Sequence, residues 1–267
     1  MIRVLQDQVL HHADFLRSWQ DVSDQSVDLV VADPPYGSLT SSQEWDVRPN
    51  FHVVGWVLAQ VLKLHGQIAI FGDMATAADI LMAFNPYFKF SFQWIWQKSS
   101  ASAKNHRRPA IDIENVLVFS RTKAKLKDLT FNYKDLMTPG KPYSRKSGKN
   151  QNKNPILKGG GNLPDVYVNE DGSRYPRSIL KYPNKPGMKI HERTDHPVQK
   201  PVGLINDIIK GLTNPGDIVL DPFMGSATTL IGCHQLGRVD VGFERDDSFF
   251  DLAVDRLKSE IGPRVSV

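Results

Sequence analysis

At 267 residues, 40% hydrophobic and 23% charged, the chain can bury one core and carry an added subdomain, and it is too apolar to be disordered. No apolar run approaches the roughly 20 residues of a membrane-spanning helix. The first seven residues lack a signal-peptide layout, and the single cysteine, Cys233, excludes an internal disulfide framework, so a cytoplasmic protein without a membrane partner is expected.

The net charge of +4 conceals an asymmetry. Residues 95–200 hold 22 of the 33 Lys and Arg but 9 of the 29 Asp and Glu, so that segment is +13 within a remainder of −9. A basic block in an acidic chain suits a polyanionic partner; a solvated loop region is the alternative.

In chain order, residues 2–5 read as a short strand ending at Asp7, and 11–21 as a weak helix. Residues 27–32 are an apolar, β-branched run of strand length. They lead into Asp33-Pro34-Pro35-Tyr36, where two prolines, with no N–H and a fixed φ, stop the ladder and stiffen the turn. An acid, a rigid carbonyl and an aromatic ring thus stand at the carboxyl edge of a strand, where open α/β sheets bind ligands. Taken alone, the four residues also fit a proline turn with a capping Asp. In Glu44-Trp45-Asp46 the Trp either walls a pocket or pins its loop to the core.

Apolar positions 53, 54, 57, 58, 61 and 62 predict an amphipathic helix over 51–63, stopped by Gly66. A strand over 68–71, a helix over 74–84 and strands over 90–96 and 114–120 follow. Such alternation predicts a mainly parallel α/β sheet. Periodicity is then lost over 122–196, which is rich in Lys, Asn, Gly and Pro with tyrosines interspersed. So long an irregular insert is functional or disordered, and its composition suits phosphate contacts plus stacking.

Regularity returns with a helix from 201 to 212, a strand over 217–220 and a small-residue loop over 221–229. That loop opens a helix to about 236; a strand over 239–243 ends at Glu244, and a last helix spans 247–259. Strand, Gly-containing loop, helix start and an acid about 20 residues on form a mononucleotide-binding βαβ half. Its amides and helix dipole suit an anionic group, and Glu244 is placed to accept from ribose hydroxyls. The Gly-x-Gly-x-x-Gly fingerprint of nicotinamide enzymes is absent.

Asp33-Pro34-Pro35-Tyr36 after a hydrophobic strand resembles the catalytic motif of S-adenosylmethionine-dependent DNA amino-methyltransferases. The loop from Asp221 to Thr229 resembles the Asp-Pro-Phe-x-Gly-Ser-Gly-Thr-Thr element of their β group. His196-Pro197-Val198-Gln199-Lys200-Pro201 resembles its His-Pro-Thr-Gln-Lys-Pro element. The order, catalytic motif first and cofactor loop last, is also that of the β group. The resemblance covers about 2–121 and 196–258.

It implies a Rossmann-like, seven-stranded methyltransferase α/β sheet in circularly permuted order with an inserted basic recognition region. Residues 1–121 would be the catalytic half, 122–196 the target-recognition insert and 197–267 the cofactor half. It implies S-adenosyl-L-methionine as cofactor, double-stranded DNA as partner, methylation of adenine N6 on a flipped base and, by the habit of the group, a homodimer. Asp33 and the carbonyl of Pro34 would accept the amine hydrogens, Pro35 would hold the turn and Tyr36 would stack on the base. Asp221, Phe223, Gly225 and Ser226 fall on the methionine-binding loop, Thr228 and Thr229 on the hydroxyls near its carboxylate, and Lys200 at the methionine end. Glu244 falls on the ribose acid and Asp7 on the acid facing the cofactor's adenine amine. Lys141, Arg145, Lys146 and Lys149 are the candidate DNA contacts, and no metal site is expected.

Four positions depart from the pattern: Ala227 and Gln6 for glycine, Val198 for threonine and Gly37 for asparagine. Cytosine-N4 methylation is the first rival, although that group more often has Ser where this chain has Asp33. A catalytically silent DNA-binding module is the second, opposed by the intact Asp33–Tyr36 motif.

Overall fold

The structure, a computed structural model, describes residues 1–5, 8–37, 45–101, 106–146 and 166–261. The chain divides into two compact units, one of Met1–Asn132 with Arg177–Val267 and one of Tyr133–Pro176.

In chain order the elements are β1 (Ile2–Leu5), β2 (Gln8–His12), α1 (Phe15–Ser18), β3 (Val27–Ala32), α2 (Phe51–Val61), β4 (Leu62–Gly72), α3 (Met74–Phe84), β5 (Phe88–Gln97) and β6 (Ile113–Arg121). There follow β7 (Tyr143–Lys146), β8 (Val166–Asn169), β9 (Ile179–Lys181), α4 (Val202–Leu212), β10 (Ile218–Asp221), α5 (Thr228–Leu236), β11 (Val239–Glu244) and α6 (Asp247–Ile261). Helix starts follow local chemistry. Asn50 accepts from the amides of His52 and Val53 ahead of α2, and Asp73 from that of Thr76 in α3. Val54, Leu58, Ile80 and Phe84 of these helices bury against Val30, Ile70, Leu117 and Phe119 of the sheet. A second cluster joins Leu10, Leu230, Ile231, Phe250 and Val254.

The first unit's sheet runs β1-β2-β11-β10-β3-β4-β6-β5-β9. Its seven inner strands have the expected methyltransferase arrangement, parallel from β2 to β4, then antiparallel through β6 and β5. From β10 the chain crosses through α5 to β11 on one side; from β3 it crosses through α2 to β4 on the other. The order therefore reverses between β3 and β10, where open sheets leave a crevice at the carboxyl ends. The pairing of Leu220 with Val30 sets the two motif-bearing loops side by side at that crevice.

Three expectations shift. The weak helix expected over 11–21 begins later, because residues 8–12 form a strand: Leu10 is fully buried and the segment pairs with β11. The helix over 51–63 ends at Val61, and β4 begins at Leu62, which pairs with Val27; sheet pairing overrides the continuing helical spacing. The separate unit is narrower than 122–196. Residues 177–196 lie in the first unit, where β9 pairs with β5, and Asn132 there donates to the carbonyls of Lys210 and Thr213.

In the second unit β7 pairs antiparallel with β8, Tyr133 stacks on Tyr175 at 5.2 Å, and the Arg174 guanidinium lies 4.7 Å from the Tyr143 ring centre. Among the described residues no helix is long and apolar enough to cross a membrane.

Candidate active site

A cavity of about 630 Å³ opens at the β3–β10 switch point, with Asp33, Pro34, Pro35 and Tyr36 in its lining and Gly225 and Glu244 at the other motif. That volume falls in the range of cofactor and small-molecule sites. β3 stops at Ala32, as two prolines require, and delivers Asp33 into the cavity.

Asp33 is held on both oxygens. Its Oδ2 lies 2.5 Å from Lys200 Nζ, and its Oδ1 accepts from the Tyr36 hydroxyl at 3.0 Å. Lys200 also approaches Glu114 at 3.2 Å, Tyr36 also donates to Glu114 at 2.7 Å, and Lys98 closes the far side of Glu114 at 2.7 Å. The Lys200 ammonium further lies 5.0, 5.8 and 6.0 Å from the ring centres of Phe71, Trp96 and Tyr36, an aromatic box that suits a buried cation. Burial would lower Lys200, but the two carboxylates overcome it and raise its pKa, so it stays charged. Burial raises the Asp33 carboxyl against the pull of Lys200. Burial works the same way on Glu114, yet Lys200 and Lys98 hold that carboxyl down at about 2. Of the two acids, Asp33 is the one suited to take up a proton.

Lys200 therefore stands against Asp33, at the meeting point of both motifs. Gln199 holds the loop that presents it, accepting from the amide and hydroxyl of Thr194 and donating to the Glu192 carbonyl. The Thr228 hydroxyl donates to the Lys200 carbonyl at 3.3 Å.

At the second motif, the Gly225 amide donates to Glu244 at 3.0 Å and the Asp246 amide to its other oxygen at 2.8 Å. Burial raises Glu244 and lifts Asp221 to about 7, although the Thr229 hydroxyl and the Phe223 amide bond the latter. A buried acid, Asp221, and a half-buried one, Glu244, at one end of a cavity are complementary to a cationic, ribose-bearing group. Gly225 has φ +49°, and Ala227 caps α5 with φ +59°, so a left-handed turn is needed where the family carries glycine. The alanine costs about 1 kcal/mol there. The Ser226 and Thr228 hydroxyls face Arg256 of α6 at 3.3 and 3.0 Å, so in this structure they brace the loop. Trp45 lines the cavity and packs on Phe249 and His196 at 5.6 and 6.1 Å.

Asp7 and Lys149 lie outside the described residues, Arg145 and Lys146 are described only as β7 backbone, and Lys141 is exposed in the second unit. Glu114, Lys98 and Arg256 belong to no motif. The available signal for Glu114 was an acid heading an otherwise apolar buried strand.

The sequence profile of the DNA methylase family (N6/N4 methyltransferases) matches residues 27–255. Type II methyltransferase M.HpaI of Haemophilus parainfluenzae is 29% identical over 95% of this chain and 75% of its own length. DNA adenine methyltransferase YhdJ of Escherichia coli K12 is 27% identical over 92% and 81%. The crystal structure of the M1.HpyAVI–SAM complex superposes with a TM-score of 0.60 at 25% identity, covering 93% of this chain and 98% of that one. The cytosine-N4-specific PvuII DNA methyltransferase, 18% identical with a TM-score of 0.66 over 97% of this chain and 88% of its own, shares the fold.

Proposed function

The chain belongs to the DNA methylase family, and on that premise we propose that it is a site-specific DNA adenine methyltransferase acting on N6 of a flipped base. The observation that carries this reading is Asp33 at the edge of β3, inside the same cavity as Gly225 and Glu244. The residues fit S-adenosylmethionine: Glu244 as acceptor for ribose hydroxyls, Asp221 as an acid facing positive charge, Gly225 leaving room beside the loop. When bound, that cofactor supplies a methyl group already activated on a sulfonium.

An exocyclic base amine is a poor nucleophile, because its lone pair is delocalised into the ring. Asp33 and the Pro34 carbonyl accept its two hydrogens and so favour a more pyramidal, more reactive nitrogen. Pro35 keeps the carbonyl in place, and the Tyr36 ring offers a stacking face for the extruded base. Asp33, raised by burial, takes the proton that the methylated amine sheds. The catalytic contribution is mainly positioning and electrostatics. The relative named an adenine methyltransferase supports adenine over cytosine, as does Asp33 in the first motif position.

The second unit, with eight Lys and Arg against four Asp and Glu, supports a role for the insert in gripping DNA phosphates. A homodimer in the cytoplasm completes this reading, which sedimentation checks. Incubating duplex DNA with the protein and labelled cofactor, then digesting and weighing the nucleosides, tests the function. N6-methyladenine is expected; N4-methylcytosine or no product overturns it.

A further inference from the structure

In this structure both oxygens of Asp33 already face a donor, so a base amine has to compete for the lone pairs that remain. Lys200 lies 2.5 Å from Oδ2, and the Tyr36 hydroxyl, which Asp33 shares with Glu114, lies 3.0 Å from Oδ1. Tyr36 has one hydroxyl hydrogen, which serves one carboxylate at a time. The second carboxylate in reach is Glu114, whose Oε1 is nearer the hydroxyl, at 2.7 Å, and 3.2 Å from Lys200. Its side chain is 7% exposed and faces Lys98, just past the end of β5, Lys200 and Tyr36. Asp33 faces Lys200, Tyr36 and Glu114, with Asp221 of β10 also within electrostatic reach.

We propose that Glu114 is a positioning residue: it takes over the Tyr36 hydroxyl and shares the Lys200 ammonium, so that Asp33 can turn an oxygen to the amine of the target base. Without it, freeing Asp33 would leave a buried ammonium with no charged partner, which the interior penalises. With it, the handover is a shift of Lys200 and Tyr36 between two acceptors they already touch. Lys98 sets the balance from the other side. It neutralises part of Glu114 and limits how strongly Glu114 draws Lys200 away from Asp33. The inference rests on the reading of Asp33 as the amine acceptor.

The test is the pH profile of single-turnover methyl transfer to duplex DNA, with cofactor affinity measured alongside, in Glu114→Gln, Lys98→Ala and Asp33→Asn. Glutamine keeps the volume and one acceptor but not the charge, and leaves Lys200 clamped to Asp33. The plateau rate should fall about tenfold with cofactor affinity unchanged. The acid limb, set by Asp33, should move down by about half a unit or more, because a nearby negative charge is gone. Lys98→Ala, at a side chain 24% exposed, leaves the core intact and should move the limb the opposite way, since Glu114 then draws Lys200 more strongly. A structural role alone would shift the unfolding temperature and leave both limbs in place. Limbs that coincide with wild type while Asp33→Asn is inactive overturn the proposal. Substantial transfer by Asp33→Asn overturns the reading of Asp33 beneath it.

Discussion

A Cβ built on Gly225 would come within 2.9 Å of His196 Nε2, with the imidazole packed 4.3 Å from the Phe249 ring and 92% buried, so it has little room to retreat. Burial, with Lys200 nearby, holds that imidazole down at about 4, so it is neutral at physiological pH. Gly225→Ala therefore combines a clash with a left-handed φ of +49°. The loss of stability should be about 2–4 kcal/mol, with weaker cofactor binding because the Gly225 amide also anchors Glu244. Denaturant unfolding and calorimetry check both. Part of the stability loss should disappear in a His196→Ala background, and an unchanged unfolding midpoint would rule the clash out.

Removing the Asp33 carboxylate should separate chemistry from folding. Lys200 keeps Glu114 as a partner, so Asp33→Ala leaves the ammonium compensated. Methyl transfer should fall by about a hundredfold or more, while cofactor affinity holds. Single-turnover transfer of labelled methyl groups decides; more than about a tenth of wild-type rate would remove Asp33 from its role.

Asp221 lets stability and binding be driven apart. Burial lifts its carboxyl to about 7, so between the unfolded value near 4 and pH 7 the folded chain keeps a proton that the unfolded chain releases. Stability from this group is therefore present at low pH and lost as pH rises through that window. Asparagine can still accept from the Phe223 amide without carrying charge. Asp221→Asn should be more stable than wild type at pH 8, by on the order of 3 kcal/mol, and bind the cationic cofactor less tightly. Thermal unfolding at pH 5 and pH 8 with matched calorimetry checks this; a stability gain of equal size at both pH values would mean that the carboxyl is not titrating there.

For the insert, the salt dependence of DNA binding is the sensitive measurement. On duplex DNA, log affinity falls with log salt by about 0.9 per phosphate contacted. Neutralising Lys141, Arg145, Lys146 and Lys149 together should lower that slope by a few units and leave cofactor affinity unaltered. A slope equal to wild type would take these four residues out of the DNA interface.

The chain's local code determined a good deal. A β-branched run closed by two prolines, a small-residue loop opening a helix, and an acid ending the next strand each depend on a few neighbouring residues, so the Asp33 and Asp221–Glu244 elements and helices α2, α3 and α5 were legible before any contact was known. Caps such as Asn50 and Asp73 belong to the same class, because the bond they make spans two or three residues. Three-dimensional structure alone decided the rest. β2 is a strand because β11 lies beside it, and Ile179–Lys181 joins the first unit because β5 offers it an edge. Lys200 belongs with Asp33 across 167 positions, and Tyr36 with Glu114 across 78. Such pairs follow from strand order, which is set by burying the whole sheet at once; periodicity reports which face of an element is buried, but not which charged residue another strand will bring to its end.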